Sequence, residues 1–329
     1  MTGCAVRRQL RIPAGERDQL DAWVYMPDRP GPVPVVVMAH GIGGIKAGGL
    51  APFAQRFASS GFAAVAFDYR HWGDSTGEPR QFLSVRRQLQ DYRSALAWAR
   101  TREEFDAARM FVWGTSFAGM HIVALAASEP GLAGAIAQCP LVDGLAGLTN
   151  IPAARALRMT AYALADLAGS VSDRPPRYLP ISVPPGQLGV IATDDAMIGM
   201  ARLDPGDGSW SNEITARSLL DVTVHRPVRH ARNARCPLLM VVAEHDTMAP
   251  TGPALAVAAR APLGELYRSR GGHYDVYAGG LDHENVLRVE TSFLRRHSEM
   301  PDALTTMQHR LLAPPSRALN PPGFWSRVF

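Results

Sequence analysis

The strongest constraint on this chain is a series of short, continuous apolar runs. Val33 to Ala39 (Val-Pro-Val-Val-Val-Met-Ala) is apolar at every position and stops at His40-Gly41. Ala63 to Asp68, Met110 to Gly114, Ala135 to Val142 and Leu238 to Ala243 read as further buried strands, and Leu266 to Ser269 as a short sixth strand. Such runs are too short for buried helices. A strand that is apolar on both faces belongs in a parallel sheet covered on both sides. Helical stretches separate them. Pro52 to Ser60 is closed by Gly61, and Leu83 to Arg102 carries Leu83, Leu89, Tyr92, Leu96 and Trp98 roughly on one face. Phe117 to Ser128, Gly252 to Arg260 and Asp282 to His297 complete the set. Alternating strands and helices specify an α/β fold with a mostly parallel, doubly wound sheet. Ahead of it, Val6 to Ile12 and Leu20 to Tyr25 flank Pro13-Ala14-Gly15 and predict an antiparallel hairpin.

The alternation breaks between Asp143 and Arg235. Pro175, Pro176, Pro180, Pro184 and Pro185 fall there, with helix-like patches at Ala153 to Leu167 and Asn212 to Leu220 and no clear buried strand. So long a stretch is no plain connection. The expected organisation is a core in two parts, 1–143 and 236–299, a helical cap insertion at 144–235, and a Pro-rich tail at 300–329 ending near Phe324-Trp325.

Composition narrows the class. Of 329 residues, 47% are hydrophobic and 19% charged, enough for a large core and too apolar for disorder. The net charge is +4, and Lys46 is the only lysine among 34 basic residues. The arginines are dispersed, with no run longer than a pair, so nucleic acid is not expected as a partner. Cys4, Cys139 and Cys236 make an odd count and no disulfide framework. Cys139 reads as a packed core thiol. Met1 to Leu10 lacks the apolar stretch of a signal peptide, and no apolar run reaches membrane-spanning length. A cytoplasmic protein is expected, with no membrane partner; a homodimer is left open. No His, Cys or Asp spacing reads as a metal site.

The chemistry concentrates at run ends. Gly114-Thr115-Ser116-Phe117-Ala118-Gly119 lies between a buried strand and a small-residue helix. A serine on such a turn is exposed at the sheet edge, and only small neighbours fit around it. Compared with Gly-x-Ser-x-Gly, the second glycine is displaced by one and Ala118 takes its place. A serine hydroxyl needs a base and an acid that orients the base. Asp246 follows the Leu238 run, and His273 follows the short strand Leu266 to Ser269 through Gly271-Gly272. Glu244 and Asp143 are rival acids, His283 is a rival base, and His245 reads as structural or solvent-facing. His40-Gly41-Ile42-Gly43-Gly44 follows the first run. Its backbone can approach a substrate, so the Ile42 and Phe117 amides are the expected oxyanion donors. Neither phosphate-loop pattern fits it, and position 46 is lysine rather than glycine.

Together these motifs resemble the α/β-hydrolase superfamily. Phe67-Asp68-Tyr69-Arg70-His71-Trp72-Gly73-Asp74-Ser75 is similar to the F-D-x-R-x-x-G-x-S segment after the fourth strand of that fold. With Gly114 to Gly119, it places the resemblance near dienelactone hydrolases, acetyl-xylan-type esterases and fungal polyketide acyltransferases. The resemblance implies a serine hydrolase that cleaves a small-molecule ester or thioester through an acyl-enzyme, with no cofactor. A serine disfavours the branches that use aspartate or cysteine. The alternatives are acyl transfer through the same acyl-enzyme, a peptidase, and a non-catalytic ligand-binding protein. The insertion's apolar residues (Leu157, Met159, Leu164, Leu167, Ile191, Met197, Ile198 and Met200) are expected to wall a pocket for a mostly apolar substrate, or else to pack the cap on itself or on a second subunit.

Overall fold

The structure, a computed structural model, describes residues 6–298. Cys4 and the stretch 300–329, with Phe324 and Trp325, lie outside the described residues. In chain order, β1 (Val6–Pro13) and β2 (Gln19–Met26) form the expected antiparallel hairpin. Then come β3 (Val33–Ala39), α1 (Ala51–Ser59), β4 (Ala63–Phe67), α2 (Val85–Arg100), β5 (Phe105–Thr115), α3 (Ala118–Ser128) and β6 (Leu132–Gln138). The stretch 144–235 holds α4 (Gly144–Gly147), α5 (Ala153–Ser170), β7 (Tyr178–Pro180), α6 (Ala196–Leu203), β8 (Glu213–Thr215) and α7 (Ser218–Val224). The chain returns through β9 (Leu238–Ala243), α8 (Thr251–Arg260), β10 (Gly264–Ser269) and α9 (His283–Ser298).

Eight strands of the described residues form one sheet in the order β1-β2-β4-β3-β5-β6-β9-β10. The pairs β1/β2 and β2/β4 are antiparallel, and every later pair is parallel. This is the mostly parallel sheet of an α/β-hydrolase. Helices α1 and α9 touch each other on one face, while α2, α3 and α8 pack on the other strands' flanks. All seven residues of β3 and all six of β9 are buried, as apolar runs covered on both faces must be. The parallel strands therefore present their carboxyl ends together, and every candidate site residue leaves from that edge.

Three details depart from expectation. The run at Ala135 to Val142 starts as a strand earlier, at Leu132, and ends at Gln138, because Cys139 turns with φ +34° into Pro140. Asn212 to Leu220 is not one helix: Ile214 and Thr215 pair with β7, and helix begins only at Ser218. The buried face of α2 includes two polar residues, Gln88 and Asp91. Gln88 Oε1 meets His121 Nε2 at 2.9 Å, and Asp91 accepts from Arg70 Nε at 2.6 Å. Burial raises the Asp91 pKa to about 6 despite Arg70.

In 144–235, helix α5 buries only Met159, Ala163 and Asp166. Asp166 accepts from the Arg177 and Arg217 amides at 2.8 and 2.9 Å, so an acid anchors its inner stripe. The expectation that all of the segment's apolar residues wall a pocket is corrected. Met159, Ile191 and Met200 line cavities, but Leu157, Leu164, Leu167, Met197 and Ile198 are exposed, on helix faces turned away from the core. No helix of the described residues is long and apolar enough to cross a membrane.

Candidate active site

Ser116 sits between the end of β5 and the start of α3 with φ +56°, a conformation that costs a non-glycine residue about 1–3 kcal/mol. The turn is held from both sides. Ser116 N–H donates to the Gln138 carbonyl at 2.8 Å, and its own carbonyl accepts from Gly119 and Leu141 at 2.9 and 3.1 Å. The glycines around it follow from contact. A Cβ on Gly114 would lie 2.9 Å from Ala118 Cβ, and one on Gly119 would lie 2.2 Å from Pro140 Cβ. The displaced glycine of the motif is thus set by the Pro140 backbone crossing above α3.

Two loops from the far side of the sheet converge on this serine. His245 N–H donates to the Gly271 carbonyl at 3.0 Å and ties the loop after β9 to the loop after β10. Asp246 Oδ1 accepts from the Met248 and Ala249 amides at 2.9 and 2.8 Å, which aims Oδ2 at His273. His273 Nδ1 lies 2.7 Å from Asp246 Oδ2, and its Nε2 lies 3.0 Å from Ser116 Oγ. Both side chains of the His273–Asp246 pair are buried. Burial opposes a charge on His273, but the Asp246 carboxylate prevails and raises its pKa well above the ordinary histidine value. With Nδ1–H donating to Asp246, Nε2 is the acceptor facing the hydroxyl.

The rivals stand elsewhere. Asp143 caps α4 and takes Arg226 through two bonds of 2.7 Å. Glu244 and His245 are exposed. His283 Nδ1 donates to the Val276 carbonyl at 2.9 Å. Ile42 and Phe117 border the same space as Ser116, and neither backbone N–H has an acceptor among the described residues. Cys139 is buried, as expected, but it is no bland core thiol. Its Sγ lies 3.8 Å from His273 Nε2 and 3.5 Å from Thr115 Oγ1.

A cluster that sequence reasoning missed supports the loop after β3. Lys46 Nζ lies 2.7 Å from Asp21, 2.7 Å from Asp68 and 3.0 Å from Asp74. The three carboxylates approach closely enough to share a cation, and the Lys46 ammonium supplies it. Burial opposes the charge, but the acids outweigh it and raise the Lys46 pKa. Asp68 Oδ1 also accepts from Lys46 N–H at 2.6 Å, so the Phe67-Asp68 motif clamps the loop that carries Ile42. The one available signal was that a chain of arginines keeps a single lysine, directly after this loop.

Two cavities meet at the serine. One runs past Gly48, Leu203, Trp210 and Tyr277. The other, which is larger, runs under Leu148, Ile151, Met159 and Leu219. Ile42, Ser116, Ile191, Met248 and His273 border both.

Known proteins agree with this architecture. The quorum-quenching protein AidA of Acinetobacter baumannii is 36% identical over 275 residues, covering 84% of this chain and 90% of AidA. The polyketide transferase grgF of a Penicillium species is 28% identical over 284 residues, covering 84% of this chain and 92% of its own. The crystal structure of that α/β-hydrolase superposes with a TM-score of 0.78 at 25% identity, covering 90% of this chain and all of the other. A thiohydrolase of Eupenicillium brefeldianum is 24% identical over 286 residues, 84% of this chain and 90% of the relative. The family model for serine aminopeptidase S33 matches residues 30–280. By that match and by the AidA likeness, the chain belongs to the serine aminopeptidase S33 family of α/β-hydrolase enzymes.

Proposed function

We propose that Ser116, His273 and Asp246 are the catalytic triad of this enzyme, and that it cleaves an ester or thioester of a mostly apolar small molecule. The observation that carries the reading is the relay of 3.0 and 2.7 Å from Ser116 Oγ through His273 to Asp246, placed where two cavities join. Ser116 Oγ attacks the acyl carbon and passes its proton to His273 Nε2. The tetrahedral oxyanion forms against the Ile42 and Phe117 amides. His273 returns the proton to the departing alcohol or thiol, leaving the acyl group on Ser116. Water, deprotonated by His273, then releases the acid and restores the serine. No cofactor enters these steps. Residues 144–235 act as a cap, since they supply most of the larger cavity's wall.

Acyl transfer is the second reading, favoured by the same two cavities: one holds the acyl chain while the other admits an alcohol or amine. A relative named a polyketide transferase and one named a thiohydrolase both span most of this chain. The test is fluorophosphonate labelling and p-nitrophenyl ester turnover in wild type and Ser116→Ala. Labelling disappears and kcat falls by about 10⁶ in the variant. A variant that keeps a tenth of the rate ends the assignment.

A further inference from the structure

The larger cavity contains a charge that its apolar lining does not explain. Arg155 stands in the first turn of α5, one turn before Met159, and both side chains border the cavity that reaches Ser116. Among the described residues the Arg155 side chain makes no hydrogen bond and no ion pair, and its Nε is buried without a partner. Three other half-buried arginines each meet an acid: Arg70 with Asp91, Arg217 with Asp166, Arg226 with Asp143. Desolvation alone lowers the Arg155 pKa, and no carboxylate offsets it. Arg155 is half-buried, with its Nε out of water and no counter-ion beside it, and the planar fork of a guanidinium matches a carboxylate through two parallel bonds.

We infer that Arg155 binds a carboxylate carried by the substrate, so that the ligand is an apolar ester or thioester with one anionic end. This rests on the proposed hydrolase reading and narrows its substrate class. The carboxylate could be borne by the acyl chain or by the leaving group, and the chemistry Arg155 reads is the same. Closure of the Arg155 pair would fix the ligand's long axis and bring the scissile carbonyl to Ser116 from one direction only. A site built around such a pair discriminates strongly against a ligand that leaves it unmatched.

The experiment compares matched esters. One arm uses p-nitrophenyl hydrogen adipate, suberate and sebacate against their methyl-capped counterparts. The other uses 4-carboxyphenyl octanoate against its methyl ester. The expected result is a preference in kcat/KM for the carboxylate of about tenfold or more in one arm, collapsing to near unity in Arg155→Met and partly kept in Arg155→Lys. Calorimetric binding of the same pairs to Ser116→Ala reads the preference without turnover. It therefore separates failure of this inference from failure of the hydrolase reading, which fluorophosphonate labelling reports independently. Equal handling of charged and capped ligands in both arms, or a preference that survives in Arg155→Met, overturns it.

Discussion

At the scale of single residues, the acid of the proposed triad is held by its own loop, while the serine turn is held by the end of β6 and the chain after it. Asp246 has its first oxygen filled by two amides and only its second free for His273. Asp246→Asn is therefore expected to keep the loop but lose the charge, lowering kcat by about 10⁴. The base must be neutral to accept the serine proton, so the acid limb of the rate profile marks the His273 pKa. Asp246 raises that pKa, and the limb in Asp246→Asn should move to lower pH. Asp143→Asn and Glu244→Gln should leave both the rate and the limb nearly unchanged, and steady-state kinetics across pH decides the matter. Ser116, Asp246 and His273 were legible because each stands just past the carboxyl end of an expected strand, beside turn residues. Lys46, Cys139 and Arg155 were not. Their meaning lies in which distant side chains they meet, or fail to meet, and no local pattern encodes that.

At the scale of elements, the loop between β3 and α1 depends on neighbours that the chain reaches much later. Asp68 and Asp74 follow β4, Asp21 comes from β2, and Trp210 Nε1 donates to the Gly43 carbonyl at 2.7 Å from the segment 144–235. Lys46→Met should leave two buried carboxylates without their cation and cost about 3–5 kcal/mol of stability. It should also slow fluorophosphonate labelling, because the Ile42 amide loses its support. Thermal unfolding and the labelling rate measure the two effects. A variant that melts and labels like wild type would show that the cluster does not hold this loop. The core strands could be bounded from sequence to within a few residues, since burial on both faces writes itself as a continuous apolar run. Segment 144–235 could not be bounded so well. Its helix α5 buries a narrow stripe centred on an acid, Asp166, and its two strands are three residues each, too short to show a period.

At the scale of the whole molecule, one buried acid couples stability to pH. Glu290 on α9 is fully buried beneath β5, with Oε2 accepting from Trp113 Nε1 at 3.0 Å and Oε1 unpartnered. Burial raises its pKa to about 8, only partly opposed by the Trp113 bond. The unfolded chain ionises near the ordinary glutamate value and the folded chain only near 8. The folded state is therefore undisturbed below about pH 4.5, loses stability by up to ~1.4 kcal/mol per pH unit as pH rises from there to about 8, and levels off above it. Glu290→Gln should flatten this slope, read as the difference in Tm between the two proteins from pH 5 to 9; parallel curves would refute it. The meeting of two cavities at Ser116 has a further consequence for what the enzyme reports about its surroundings. Once the acyl group is fixed to the serine and the first product has gone, one chamber is full and the other vacant. The vacancy has no memory of what left it. On the proposed mechanism, whichever acceptor is most abundant and best fitting enters next, so the ratio of acid to transferred product behaves as a readout of solution composition rather than a fixed property of the protein.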